Sequence, residues 1–81
     1  MDQNTTVFIP QKDESKRVKE IMDQVVLALK DKGYEPVSQI IGYILSGDPT
    51  YITSHQNARA LICKIERDDL LQEMIKKYLD L

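Results

Sequence analysis

Apolar side chains recur along this 81-residue chain at helical steps, in four separate stretches. Between residues 14 and 31 they are Val18, Ile21, Met22, Val25, Ala28 and Leu29, with Lys16, Lys19, Glu20, Asp23 and Lys30 on the opposite face. That spacing predicts an amphipathic helix. Asp13 or Ser15 is placed to cap its start, Lys30 and Lys32 suit its carboxyl end, and Gly33 supplies the left-handed residue that stops it. A second helix starts at Pro36, where a missing N–H costs nothing, and carries Val37, Ile40, Ile41, Ile44 and Leu45. The run from Gln39 to Leu45 also resembles a buried strand, but its proline start and Ser46-Gly47 stop favour helix. Gly42 inside it costs roughly 1 kcal/mol relative to alanine, which suggests that another helix approaches closely there. Asp48-Pro49 then forbids continuation.

Thr53-Ser54-His55-Gln56 has the form of a capping box, opening a third helix with Ala58, Leu61, Ile62 and Ile65 on one face. The cluster Glu66-Arg67-Asp68-Asp69 either continues that helix or caps a new one, and a break near Asp68 is expected. Leu70, Leu71, Met74, Ile75, Tyr78 and Leu79 form the face of a last helix. Thr5, Thr6, Val7, Phe8 and Ile9 favour a strand by propensity but have no second run to pair with, and Pro10 follows directly. The expected fold is therefore all-α: a compact small helical bundle over residues 13–81, with a helix–turn–helix-like segment from Val37 to Ile65. A flexible tail over residues 1–12 precedes it.

Charge sharpens this picture. The net charge is −2, with residues 13–32 balancing five acids against five bases and residues 33–65 bearing only Glu35, Asp48, Arg59 and Lys64. The middle third is thus sparsely solvated, and apolar faces on every helix exceed what so short a chain can cover, so a two-fold homodimer is expected. No basic stripe suits a phosphate backbone. The helix–turn–helix outline makes a DNA-binding regulator the rival from another class, yet its second helix offers only His55, Gln56, Asn57, Arg59 and Lys64. One cysteine leaves no internal disulfide to form. Without a membrane-length apolar run or a basic-then-apolar start, a cytoplasmic protein with no membrane partner is expected.

The candidates for chemistry favour structural roles. His55 lies at a helix start without a second ligand, and Cys63 lacks a partnering histidine. Asp68 and Asp69 are adjacent, so their side chains diverge on a helix and fit N-capping better than acid–base work. Tyr34, Tyr43, Tyr51 and Tyr78 border apolar runs and suit core or interface. With no glycine-rich phosphate loop and no metal spacing, neither an enzyme nor a cofactor is expected. The turn through Gly47, Asp48, Pro49 and Tyr51 is more specific: it is either a plain connector or a partner-facing loop. Arg59, near this turn if the helices pack antiparallel, either braces Asp48 or reaches a partner.

Taken together, Lys32-Gly33-Tyr34, Pro36, Gln39-Ile40-Ile41-Gly42-Tyr43, Leu45-Ser46-Gly47-Asp48-Pro49, Tyr51-Ile52, Asn57-Ala58-Arg59 and Glu66-Arg67-Asp68 resemble the IreB/ReoM family of small Gram-positive regulators. The resemblance covers nearly the whole chain from the first helix onward. It implies an all-helical homodimer whose tail is phosphorylated by a transmembrane Ser/Thr kinase with PASTA repeats, and dephosphorylated by a partner phosphatase. It further implies control of cell-wall synthesis and antibiotic resistance. The unphosphorylated form would promote turnover, by the Clp protease machinery or an adaptor, of the enzyme that commits UDP-N-acetylglucosamine to peptidoglycan. By position Thr6 is the phosphoacceptor that the resemblance implies, with Thr5 the alternative. Two departures stand out: Thr50 where the family usually has alanine, and Ser54 where arginine is expected.

Overall fold

The computed structural model describes residues 11–81, with side chains from residue 14 onward. The described residues form four α-helices and two 3-10 turns, with no strand among them. Helix α1 (Gln11–Asp31) is the axis on which the other elements lean, α3 (Ala58–Ile62) most extensively and α2 (Pro36–Ser46) and α4 (Arg67–Leu79) less so. Its stripe of Val18, Ile21, Val25, Ala28 and Leu29 is buried, as the spacing predicted. α1 begins at Gln11, ahead of the expected caps, and Ser15 instead donates from Oγ to Glu73 Oε1 at 2.6 Å, tying α1 to α4.

The helix stops follow local chemistry. Gly33 takes φ +83° just beyond α1. Pro36 opens α2, and Glu35, its N-cap, accepts the Ser38 amide at 2.8 Å. Gly47 closes α2 at φ 75°.

Three expectations are corrected. The close approach to Gly42 is made by the ring of Tyr51, in the 3-10 turn Pro49–Tyr51, and a Cβ on Gly42 would collide with it. The capping box does not form: Thr53 Oγ1 accepts the His55 amide at 3.2 Å, Gln56 turns left-handed at φ 52°, and α3 begins only at Ala58. The break falls near Asp68 as expected, but Glu66 takes the N-cap position of α4, so Asp68 and Asp69 are not its caps and occupy its first turn, where carboxylates complement the helix dipole.

The core joins α1 to Ile40 and Tyr43 of α2, Ile52, Ala58 and Ile62, Ile65, and Leu70 of α4. Leu29, Ile52, Ile62 and Leu70 are its largest fully buried side chains, each stabilising the fold by roughly 1.5–3 kcal/mol relative to exposure. Leu70 is the single buried residue of α4. Its other apolar positions point outward.

Candidate interaction site

The turn after α2 is built almost entirely from short polar contacts. Ser46 Oγ donates back to the Gly42 carbonyl at 2.6 Å and accepts the Asp48 amide at 3.0 Å. Asp48 Oδ1 then accepts both the Thr50 amide, at 3.0 Å, and the Thr50 hydroxyl, at 2.7 Å. These bonds hold the Asp48 carboxyl below the usual carboxylate range, the hydroxyl contributing most and the Arg59 charge adding to it. Pro49 sits where its fixed φ starts the 3-10 turn, and the Ile52 amide closes that turn on the Pro49 carbonyl at 3.0 Å.

Side chains from three other positions brace the turn. Gln39 Nε2 donates to the Tyr51 carbonyl at 2.8 Å, and Arg59 Nε to the Ile52 carbonyl at 2.9 Å. Arg67, from α4, donates to the Ile44 carbonyl at 2.8 Å and spreads its guanidinium over Gly47. A cation on the last carbonyls of α2 complements the negative end of that helix. Gly47, Asp48, Pro49, Tyr51 and Arg59 are thus brought around one turn. Arg59 meets it through the Ile52 carbonyl rather than through a direct bond to Asp48.

Beside the turn lies an apolar groove of about 350 Å³, with Ile40 and Ile44 in its lining. Val37, Ile41 and Leu45 line it from α2, and Leu71 and Met74 from α4. Those five are 62, 51, 79, 43 and 39% exposed, and Ile75 and Tyr78 on α4 are exposed as well. A cluster of large exposed apolar side chains on two adjacent helices marks an interaction face.

The remaining candidates are scattered. Tyr43 is buried, and burial, reinforced by the neighbouring Cys63 side chain, pushes its phenol above the usual tyrosine value. Cys63 is itself exposed. Of the other tyrosines, Tyr34 and Tyr78 are exposed and Tyr51 lies half-covered over Gly42. His55 Nε2 lies 2.6 Å from Asp31 Oδ2, linking the second 3-10 turn to the end of α1. Among the described residues no group of His, Cys, Asp and Glu side chains is arranged to hold a metal ion, and no helix is long and apolar enough to cross a membrane. α2 and α3 are separated by the two 3-10 turns, and α3 has five residues, a short helix for reading a DNA groove. Thr5 and Thr6 lie outside the described residues. Sequence reasoning missed the brace roles of Gln39 and Arg67; an arginine at the start of a helix, where the dipole disfavours a cation, was the available signal.

The sequence model of the IreB regulatory phosphoprotein family matches residues 3–80. The chain belongs to that family. Relatives named UPF0297 protein are similar over almost its whole length. One from Lachnoclostridium phytofermentans is 57% identical over 77 residues, covering 95% of this chain and 88% of the relative. One from Acetivibrio thermocellus is 51% identical, covering 94% and 84%, and one from Ruminiclostridium cellulolyticum is 50% identical, covering 94% and 86%. Membership in the IreB family makes this chain a regulatory phosphoprotein by kinship.

Proposed function

We propose that this protein is a non-enzymatic, cytoplasmic phospho-switch that controls cell-wall peptidoglycan synthesis, and with it resistance to cell-wall antibiotics, through protein–protein contacts. The observation that carries this reading is the IreB family match, which begins at residue 3 and so takes in Thr5 and Thr6. A PASTA-type Ser/Thr kinase phosphorylates Thr6, or in second place Thr5, and a phosphatase reverses it. The unmodified form promotes Clp-dependent turnover of UDP-N-acetylglucosamine carboxyvinyltransferase, and the phosphate lifts that brake. A phosphate brings about −1.5 to −2 charges to a segment that holds one acid and one base, Asp2 and Lys12. Such a change repels an acidic partner or recruits a basic one.

The working unit is a homodimer, in which the α2 and α4 faces of two copies cover each other. Support for this comes from the exposed Val37, Ile41, Leu45, Leu71 and Met74, which one chain leaves uncovered. The turn of Gly47, Asp48, Pro49 and Tyr51, with Arg59, is the surface offered to the protease adaptor or its target.

Incubation of the full chain with a PASTA-type kinase, followed by phosphosite mapping, tests the switch. Phosphate on Thr6, with Thr6→Ala cells locked in the brake-on state and sensitised to cell-wall antibiotics, supports it. Phosphate confined to Thr5 moves the site by one residue, and modification of neither threonine overturns the switch.

A further inference from the structure

Gln56 (φ 52°, ψ 34°) and Asn57 (φ 63°, ψ 16°) follow one another in the left-handed region, and neither is glycine. Crowding between Cβ and the carbonyl makes that conformation costly for an L-residue, and it persists only where the surroundings over-determine it. No residue of the 3-10 turn His55–Asn57 is buried, so packing of its own side chains does not hold the pair. The restraints lie on either side. Upstream, His55 is tied to Asp31, the last residue of α1 and 24 positions away. Downstream, Ala58 is fully buried.

The same stretch decides where Arg59 points. Its amide donates to the Thr53 carbonyl at 3.0 Å and its Nε to the Ile52 carbonyl at 2.9 Å. Both bonds close a loop through the left-handed pair. If residues 53–57 relax, the Thr53 carbonyl leaves the Arg59 amide, and the Ile52 carbonyl, which shares a peptide plane with the Thr53 N–H, turns away from Nε while the Ile52 side chain stays buried.

We propose that the Asp31–His55 contact is a clasp that holds residues 53–57 as a strained strap, and that its release frees the Arg59 guanidinium from the turn. The left-handed pair favours opening and the clasp opposes it. Asp31 and His55 are then positioning residues: they set whether Arg59 is folded back on Ile52 or presented outward. This regulatory role rests on Arg59 being partner-facing.

Native-state hydrogen exchange on the full chain, read by NMR, tests the clasp. In His55→Ala and Asp31→Ala, exchange at the Arg59 amide and Nε–H is expected to rise by about tenfold or more, the loss of one charge-assisted bond. Amides of Val25 and Leu29 should stay at wild-type rates, because the opening is local. Adding Gln56→Gly and Asn57→Gly, which relieves the left-handed strain, should bring Arg59 back toward wild-type protection. Should His55→Ala fail to fold, Asp31→Ala, which removes one exposed carboxylate, carries the same readout. Unchanged exchange at Arg59, or an equal rise at Val25 and Leu29, overturns the clasp. The readout needs no partner, so its failure is separable from a failure of Arg59 to engage one.

Discussion

The α1–α3 side of the molecule and the α2–α4 side both carry apolar stripes, yet only the first is closed. Where α3 meets α1, Val25, Ala28, Leu29, Ala58 and Ile62 all have zero exposure. Across the molecule, Leu45 is 79% exposed and Val37 62%. Helix α4 makes the contrast within one element: Leu70 is in the core, while Leu71, Met74 and Ile75 face outward. Apolar patterning therefore does two jobs here. One stripe folds the chain, and a second is left for something beyond it.

Substitutions on the two sides should separate those jobs. Leu29→Ala on the closed side should cost about 2–5 kcal/mol, the range for opening a cavity in a packed core. For so small a domain that is a large share of the total. Chemical denaturation followed by circular dichroism measures it. Ile41→Lys on the open side should change the stability of a single chain by no more than about 0.5 kcal/mol. Its effect belongs to assembly instead, since a charge buried in an apolar interface goes uncompensated. Light scattering should report one chain's mass for Ile41→Lys and two for the wild type at micromolar concentration. A wild type that also runs as one chain would remove the second copy as the cover of this face.

The contrast also explains how far each region could be read in advance. The helix boundaries at Gly33, Pro36 and Gly47 are dictated by single residues, so they were legible before any packing was known. The closed stripe of α1 was legible because its spacing repeats from Val18 to Leu29, over about three turns. At Thr53–Gln56 the local signal favoured a capping box, but a long-range bond from His55 to Asp31 and a shorter-range one from Arg59 to Ile52 accompany another path. Gly42 foretold a close approach, and only the fold shows that an aromatic ring makes it. At the site, glycine, aspartate and proline announced the turn. The acceptors that Gln39, Arg59 and Arg67 brace depend on which segments become neighbours, and a local pattern can mark a residue such as Arg67 without naming its partner.

The seam between the two sides is the turn at Gly47, and it offers a smaller but sharper test. Alanine there would adopt φ 75° and set its Cβ 2.8 Å from the Arg67 guanidinium carbon. Left-handed strain alone costs about 1–2 kcal/mol, and displacing Arg67 from the Ile44 carbonyl adds to it. In an Arg67→Ala background the guanidinium is gone, so Gly47→Ala should then cost only the strain. The difference between the two backgrounds, read by urea denaturation, isolates the α2–α4 brace. Equal costs in both would mean that Arg67 moves aside freely and that the seam is not held by it.

The smallest effect should come from pH, and it should arise at the turn rather than in the closed core. Among the described residues the one titratable group buried in the core is the Tyr43 phenol, which burial holds above the ordinary tyrosine value, so the core has nothing to titrate in the acid range. Asp48 is different: the Thr50 hydroxyl and amide hold its carboxyl below the ordinary range in the folded state. An unfolded chain therefore takes up this proton at a higher pH than the folded chain does. The resulting stabilisation is fully present above the unfolded value and is lost as pH falls through the folded one. Because the carboxylate is fully exposed, the effect on stability is small, and the group's own titration is the better measure. Thr50→Val removes the hydroxyl bond and leaves the amide bond, so the Asp48 carboxyl should titrate at higher pH in that variant, still below an unfolded peptide. Carbon-detected NMR of the Asp48 carboxyl carbon resolves this. Identical titration in both proteins would shift the cause to the Thr50 amide and the Arg59 charge, the remaining groups that lower it.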